Sequence, residues 1–246
     1  MRLPFSEIKM VILDEHEQYL RDAQVDEIGI LVTRGPNVFD GYLEAKHNDK
    51  IWVNIDKQPW LNSGDLGRMD KDGYLWLTGR KKELIIRGGH NIDPKSIEEP
   101  LAAMPGVDLV AAIGRPDSYA GEVPAVYLTL NNSKVTEQDV MEYAMSNIKE
   151  RAAIPKVIHI IKDMPVTAVG KIFKPQLTWW QIEEVIAIHF NECFTKSQAA
   201  ACKVKVNKHE TFGCLADITL AKSITESDID KRRIIGEFKT IKEALK

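Results

Sequence analysis

Two short loops carry a charged residue directly after a glycine, and each of these side chains could take part in binding or catalysis. In residues 62–66 Asp65 follows Gly64, and its carboxylate could accept two hydrogen bonds from neighbouring hydroxyl groups. In residues 165–172 Lys171 follows Gly170, and a loop lysine could extend its ammonium group to an anion. A turn-forming aspartate and an ordinary solvated lysine are the simpler interpretations, and the two patterns alone leave both open.

The stretch 79–92 joins four consecutive charged residues, a short apolar run and a glycine pair. Short strands and turns are predicted before it, and alternating strands and helices after it. A polar segment between a region of short strands and a region of alternating strands and helices is typical of a domain boundary. Leu84-Ile85-Ile86 predicts a short buried strand. Gly88-Gly89 allows either a plain hairpin turn or the close approach of a ligand to the backbone.

The composition is that of an ordinary globular protein and argues against several classes of function. Of the 246 residues, 44% are hydrophobic and 28% are charged, which is sufficient for a substantial core. The net charge of -3 gives no electrostatic reason to expect nucleic acid or an anionic membrane as a partner. The three scattered cysteines fit neither a disulfide framework nor a zinc site. We therefore expect a reducing cytoplasm and no metal site built from protein ligands.

The pattern of apolar residues predicts an α+β fold in three parts. Residues 1–79 are predicted to form a small antiparallel β unit, 80–177 a compact α/β domain with a three-stranded sheet, and 178–246 a small extra α/β tail. Strands are predicted at 7–13, 27–33, 74–78, 107–114, 123–130, 157–161, 203–207 and 213–220. The sequence by itself shows no internal repeat.

Four helices are predicted from helical spacing of apolar residues and from capping residues. Asp93 is expected to cap a helix that opens at Pro94, and Thr136 a helix that ends near Arg151. The two remaining helices are predicted at 175–194 and at 227–245, and the second of these carries its apolar residues on one face.

Three motifs, taken in this order and spacing, resemble one family, the AMP-forming adenylate enzymes. That family includes acyl-CoA synthetases, non-ribosomal adenylation domains and luciferases. The stretch 62–66 is similar to its Thr-Gly-Asp-Leu motif, and 79–92 supplies Gly79-Arg80, Glu83 and Gly88-Gly89. Residues 165–174 are close to its Pro-x-Thr-x-x-Gly-Lys-Ile-x-Lys motif. The resemblance covers residues 1–177 and is greatest to bacterial long- or medium-chain acyl-CoA synthetases.

The sequence departs from the family in one respect that bears on activity. The Ser/Thr/Gly-rich phosphate loop with its trailing Pro-Lys-Gly is not found among these 246 residues, nor is the acyl pocket. The resemblance therefore implies a C-terminal portion of such an enzyme: the last β subdomain of the large domain, a hinge, a mobile small domain and an extra tail. Alone, it is expected to bind ATP weakly and to adenylate nothing.

The resemblance also implies roles for six residues of this chain. Lys171 corresponds to the lysine that reaches the carboxylate and the α-phosphate. Asp65 corresponds to the aspartate that binds the ribose hydroxyls, and Arg80 to a residue near the ribose and phosphates. Lys82 corresponds to the hinge residue of the family, and the CoA thiol would pass close to Gly88 and Gly89. The resemblance implies that the complete enzyme uses a carboxylic acid, and more narrowly a fatty acid, with ATP, Mg²⁺ and CoA.

Two alternatives to a CoA-dependent ligase remain open at the level of sequence. The chain could be a non-catalytic binding or regulatory module that docks onto a separate large-domain partner. Apolar surface left on an incomplete large domain would favour such association. A carrier protein could also take the place of CoA as the acyl acceptor.

Overall fold

The computed structural model describes residues 5–49, 51–131, 134–209 and 213–224. These residues belong to two compact units, of which the first ends at Leu84 and the second begins at Ile85. The predicted three-part division at 79/80 and 177/178 stays a prediction. None of the described helices is long and apolar enough to cross a membrane.

The first unit is a six-stranded antiparallel sheet around a small core. Its strands follow the order β2-β1-β3-β5-β4, and β6 also pairs with β5. The core contains Val11, Val32, Val53 and Trp60. The strands are β1 (Glu7–Leu13), β2 (Tyr19–Asp22), β3 (Gly29–Arg34), β4 (Trp52–Ile55), β5 (Gln58–Met69) and β6 (Leu75–Arg80), with short 3-10 helices at Ala45–His47 and Lys81–Glu83.

The second unit contains a five-stranded mixed sheet of order β11-β10-β7-β8, in which β9 also pairs with β10. Its strands are β7 (Ile85–Arg87), β8 (His90–Ile92), β9 (Val107–Asp117), β10 (Gly121–Leu130) and β11 (Val157–Ile160). The three strands predicted for this region are β9, β10 and β11. The sheet has five strands instead of three because residues 85–92 form a hairpin whose first strand pairs with β10 at Gly121.

Helices cover both faces of this sheet. The helices are α1 (Lys95–Ala102), α2 (Glu137–Asn147), α3 (Lys174–Cys193) and α4 (Lys196–Ala201). Ile97 and Leu101 of α1 and Val140 and Ala144 of α2 share one core with one face of the sheet. On the other face, Leu177 of α3 packs against the strands.

Capping explains where α1 and α2 begin. The Asp93 carboxylate accepts a hydrogen bond of 3.0 Å from the Lys95 amide. Thr136 and Asp139 form a reciprocal capping box at the start of α2. Helix α2 ends at Asn147 and not near residue 151 as predicted, because Ile148 adopts an extended backbone and turns into the core.

A further hairpin in the tail packs against α3. Its hairpin consists of β12 (Lys203–His209) and β13 (Gly213–Thr219). Ile182, Ile186 and Phe190 of α3 form a core with Val206 of β12. The helix predicted for 227–245 lies outside the described residues.

Candidate functional site

Asp65 lies in a bulge of strand β5 that the local sequence builds. Val32 of β3 pairs with Asn62 and Ile30 pairs with Leu66, so the three residues 63–65 stand opposite one residue of β3. Gly64 adopts a left-handed φ of 74° in this bulge. The Ser63 hydroxyl donates to the Leu31 carbonyl at 3.0 Å and accepts from the Asp65 amide at 3.0 Å. The bulge thereby fixes the backbone that carries the Asp65 carboxylate.

Asp65 and Arg80, the two predicted nucleotide-binding residues, lie side by side in the first unit. They are directly opposite each other on β5 and β6. Arg80 Nε donates to Asp65 Oδ1 at 3.0 Å, and the two side chains are 63% and 26% exposed. A carboxylate has a second oxygen and a guanidinium has four further N–H groups, so the pair retains capacity for a ligand.

Lys82 lies in the short 3-10 helix Lys81–Glu83, and all three of its residues are exposed. The boundary between the two compact units follows two residues later, after Leu84. Asp65 therefore belongs to the first unit and Lys171 to the second. The role of Lys82 as a hinge stays a prediction.

Gly88 and Gly89 form the turn of the β7–β8 hairpin, so the simpler of the two sequence interpretations describes their conformation. Their φ values are 55° and 85°, in the left-handed region that glycine adopts at little cost. No heavy atom lies within 4 Å of a Cβ built on either residue, so the backbone of this turn is open to its surroundings. Passage of CoA along this turn stays a prediction.

A half-buried carboxylate, which sequence analysis did not identify as functional, holds this hairpin. Glu122 Oε2 accepts a hydrogen bond of 2.9 Å from the Ile86 amide. Burial raises the pKa of the Glu122 carboxyl above its ordinary value. Gly114 provides the space, because a Cβ there would lie 2.5 Å from Glu122 Oε2. The Gly88 amide donates to the Ala120 carbonyl at 2.8 Å and fixes the hairpin a second time.

Lys171 lies in a tight hairpin between β11 and α3. The Thr167 carbonyl accepts from the Gly170 amide at 2.9 Å, and the Lys171 carbonyl accepts from the Thr167 amide at 2.7 Å. Gly170 has a φ of 78°, the left-handed residue that a three-residue hairpin loop requires. The Thr167 hydroxyl accepts from the Lys171 amide at 3.1 Å. The loop thus has a defined backbone, and Lys171 is exposed on it.

An ion pair anchors the helix that follows this loop. Lys174 Nζ, at the start of α3, lies 2.8 Å from Glu98 Oε1, and both side chains are about one-fifth exposed. Glu98 Oε1 also accepts from the Ala112 amide of β9 at 2.8 Å. The sequence identified Lys174 only as part of the motif. Its ion pair with Glu98 could not be predicted, because the two residues are 76 positions apart in the sequence.

Comparison with known proteins finds a family match for part of this chain. The AMP-binding enzyme C-terminal domain matches residues 96–171. Marinolic acid–CoA ligase of Pseudoalteromonas sp. (strain SANK 73390) is 47% identical over 175 residues, which cover 71% of this chain and 26% of that protein. The putative acyl-CoA synthetase YngI of Bacillus subtilis (strain 168) is 38% identical over 181 residues, which cover 74% of this chain and 32% of that protein.

A solved structure of known fold is also similar to this chain. ATP-bound MatB from Rhodopseudomonas palustris matches with a TM-score of 0.63 and 29% identity, over 72% of this chain and 34% of that chain. The chain thus spans about a quarter to a third of the length of the relatives it matches. Residues 96–171 therefore match the AMP-binding enzyme C-terminal domain, and the chain is similar to a part of these CoA ligases.

Proposed function

We propose that this chain is the C-terminal part of an AMP-forming ligase that activates a carboxylic acid, and more narrowly a fatty acid, for transfer to CoA. In the first step a carboxylate oxygen bonds to the α-phosphorus of ATP, and the bond to pyrophosphate breaks. In the second step the CoA thiol bonds to the acyl carbon, its proton is lost, and AMP leaves. The observation that carries this proposal is the exposed Lys171 on its tight hairpin, at the end of the matched family domain.

Lys171 is proposed to stabilise the first step. That step brings two anions together, and a cation aimed at the developing charge lowers its barrier. The hairpin supports this role because its backbone is fixed by three hydrogen bonds around Thr167. A fixed loop with a long, exposed side chain can present the ammonium group at little conformational cost.

Asp65 and Arg80 are proposed to bind the nucleotide. The Asp65 carboxylate would accept from the two ribose hydroxyls, and the Arg80 guanidinium would contact a phosphate or the ribose. Their mutual ion pair supports the proposal because it places both groups at one edge of the sheet before the ligand arrives.

Lys82 is proposed as the hinge about which the second unit turns between the two steps. One rotation would withdraw Lys171 and bring Gly88-Gly89 to the thiol. A few loop residues can absorb such a φ/ψ change. The position of the unit boundary two residues after Lys82 supports this assignment.

The described residues do not offer a Mg²⁺ site of their own. Among them there is no group of three or more His, Cys, Asp or Glu side chains placed to hold a metal ion. Mg²⁺ commonly binds substrate phosphates with only one or two carboxylates. We therefore assign no step to this ion, which would accompany the phosphates of ATP in the complete enzyme.

A chimeric ligase tests the proposal. We would join residues 1–177 to the large domain of a ligase of similar structure, in place of its own C-terminal part. The chimera is expected to release pyrophosphate from ATP with a carboxylic acid. Lys171→Ala should lower this rate at least about 100-fold, because the loss of a preorganised charge costs about that much. Lys162→Ala, an exposed lysine outside the loop, is the control. Equal rates for both variants would refute the role of Lys171.

The chain alone is proposed to be inactive in adenylation. Its 246 residues contain no Ser/Thr/Gly-rich phosphate loop to hold the β- and γ-phosphates. Incubation with ATP and a fatty acid should therefore release no pyrophosphate above background. Pyrophosphate release by the purified chain would show that this part of the proposal is wrong.

A second candidate function, docking onto a separate large-domain partner, has its own supporting observation. Several apolar side chains of the first unit are more than half exposed: Leu20, Val25, Ile28, Tyr74, Trp76 and Leu77. Exposed apolar side chains favour association where they adjoin one another. Light scattering should then detect self-association at high concentration, and a clean monomer would count against docking.

A cytoplasmic location is part of the proposal. Cys202 and Cys214 are both free thiols, which is compatible with a reducing compartment.

A further inference from the structure

Five side chains form a polar cluster between helix α3 and the sheet of the second unit: Arg115, Tyr127, His159, Gln181 and Glu184. We propose that this cluster is a pH-sensitive latch for α3, in which neutral His159 binds the Gln181 amide and protonated His159 binds the Glu184 carboxylate instead. The inference goes beyond the proposed function, because Gln181 and Glu184 lie after the family match at 96–171.

The cluster joins the part of the chain that matches the family domain to the helix that follows it. Arg115 belongs to β9, Tyr127 to β10 and His159 to β11, whereas Gln181 and Glu184 belong to α3. Gln181 is 0% exposed, and an amide without partners would be costly at such a position. The strands supply partners for both ends of this amide, so the cluster is a polar contact that fixes α3 on the sheet.

Arg115 determines which way the Gln181 amide points. A guanidinium has only donors, and Arg115 Nη1 donates to Gln181 Oε1, so the amide nitrogen faces the other side of the cluster. Gln181 Nε2 lies 2.6 Å from Tyr127 Oη, 2.8 Å from His159 Nε2 and 3.2 Å from Glu184 Oε2. Two N–H groups thus have three acceptors within reach. The two shortest distances assign them to Tyr127 and His159.

This arrangement determines where neutral His159 carries its proton. A ring nitrogen accepts a hydrogen bond only when it has no proton, so Nε2 of His159 is unprotonated and the proton lies on Nδ1. The ring is stacked on that of Tyr127, with centroids 4.7 Å apart and an interplanar angle of 24°. Burial raises the pKa of the Tyr127 hydroxyl, so this group stays neutral while histidine titrates.

Protonation of His159 at Nε2 changes its partner. The new N–H would face the Gln181 amide nitrogen at 2.8 Å, and two donors cannot form a hydrogen bond with each other. The same ring nitrogen lies 3.2 Å from Glu184 Oε2, which can accept from it. A single proton therefore replaces Gln181 by Glu184 as the partner of His159.

The charges around His159 indicate which state holds α3 more firmly. Arg115 Nη1 lies 3.0 Å from Glu184 Oε2, the same oxygen that protonated His159 would use. Glu184 is therefore already paired, and a second cation beside it is repelled by Arg115. The lost contact involves the fully buried Gln181, whose N–H is costly to leave unpaired. We therefore expect the neutral state to hold α3 more firmly.

Neighbouring elements leave Arg115 and Glu184 as the charged groups that face His159 through the cluster. The adjacent carboxylate Glu183 accepts a hydrogen bond of 2.7 Å from the Val206 amide of β12. Helix α2 shares the core on the opposite face of the sheet, where Ile158 is buried. The protonation of His159 is therefore coupled to one cation and one anion of the cluster.

The latch acts on the helix that follows the lysine loop. Helix α3 begins at Lys174, and Gln181 lies about two turns along it. The Phe173 amide donates to the Pro165 carbonyl at 2.8 Å and connects the start of α3 to the loop that carries Lys171. Weaker docking of α3 at low pH would therefore extend to the segment next to this loop.

The tautomer of His159 tests the neutral state. In the full chain with isotope-labelled histidine, NMR correlation of ring nitrogens with ring protons distinguishes an unprotonated Nε2 from a protonated one. At about pH 8, where histidine is mostly neutral, His159 should have its proton on Nδ1 alone. The exposed His90 should show the mixture of tautomers of a solvated ring. A proton on Nε2 of His159 at this pH would overturn the proposal.

Amide exchange of α3 tests the change of partner. After correction for the intrinsic effect of pH, residues 181–186 of the full chain should exchange about fivefold faster at about pH 5.5 than at about pH 8, because one buried hydrogen bond is lost. His159→Gln retains an acceptor that cannot be protonated in this range, so it should abolish the difference. An unaltered chain without the difference would refute the latch.

His189→Gln is the matched control. His189 also lies in α3, but it pairs with Glu192 of the same helix at 3.2 Å. This variant should keep the pH difference in exchange of residues 181–186. A difference that persists in His159→Gln, or that disappears in His189→Gln, would show that His159 is not the group responsible.

Discussion

At the scale of single residues, two carboxylates show how the surrounding residues determine the role of a carboxylate side chain. Asp65 is partly exposed and paired with Arg80, and its position was predicted from a motif of five residues. Glu122 is also partly exposed, but its carboxylate accepts a hydrogen bond from the Ile86 amide, and no local pattern indicated this role. The contact could not be predicted because it depends on the space left by Gly114, which pairing of β9 with β10 brings beside it.

The burial of Glu122 predicts a pH dependence of stability. A carboxyl whose pKa is raised by folding favours the folded state when protonated. Its contribution is therefore fully present below the ordinary pKa of 4.5 and is lost as the pH rises through the raised value. Glu122→Gln should remove this decline in the free energy of unfolding, measured by urea denaturation above pH 4.5. Glu99→Gln, at an exposed glutamate, should retain it; equal slopes for both variants would contradict the assignment.

Removal of the Arg80–Asp65 ion pair is expected to weaken ligand binding while changing the stability of the fold only slightly. Exposed ion pairs contribute little, so Arg80→Ala should change the free energy of unfolding by less than about 1 kcal/mol. The loss of a charged hydrogen bond to the nucleotide should weaken ATP binding at least about tenfold. Calorimetry of the chimeric ligase would measure the binding. Arg68→Ala, which breaks a surface ion pair with Asp26 on the same sheet, should leave ATP affinity unchanged.

At the scale of elements, strands with a strong apolar pattern were predicted well, and short strands without one were missed. The strand predicted at 7–13 is β1, and the strand predicted at 74–78 overlaps β6. Strand β2, with the sequence Tyr-Leu-Arg-Asp, is stabilised by pairing with β1 and carries no pattern of its own. The five-stranded sheet was predicted with three strands. The strand predicted at 84–86 is β7 but was not assigned to this sheet, and β8, which has only three residues, was not predicted.

The Lys171 hairpin predicts a specific requirement for glycine. Gly170 has a φ of 78°, and no heavy atom lies within 4 Å of a Cβ built there. Gly170→Ala should therefore cost about 1 kcal/mol through backbone strain alone, without a clash. Urea denaturation would measure the cost. Val169→Ala, at the neighbouring position that is 80% exposed, should be nearly neutral. A neutral Gly170→Ala would show that the loop does not need this conformation.

At the scale of the whole molecule, the chain separates the predicted nucleotide-binding residues from the predicted catalytic lysine. Asp65 and Arg80 belong to the first unit and Lys171 to the second. The family motifs predicted all three residues, but motifs do not show which residues share a compact unit.

The hinge predicts different effects on the two half-reactions. Lys82→Pro would fix φ at one value and hinder rotation about this residue. In the chimeric ligase, one half-reaction should then be slowed much more than the other, since each needs a different orientation of the second unit. Single-turnover assays of pyrophosphate release and of thioester formation would measure them separately. Equal slowing of both would indicate a folding defect.

The pivot between the two units is the central claim, and a distance distribution tests it most directly. Spin labels at the exposed positions Lys71 and Gln138 report on the first and second unit, respectively. Pulsed electron paramagnetic resonance of the chain should give a broad or bimodal distribution, which Lys82→Pro narrows. A single narrow distribution that Lys82→Pro leaves unchanged would contradict the account, because the lysine and the aspartate would then move as one rigid body.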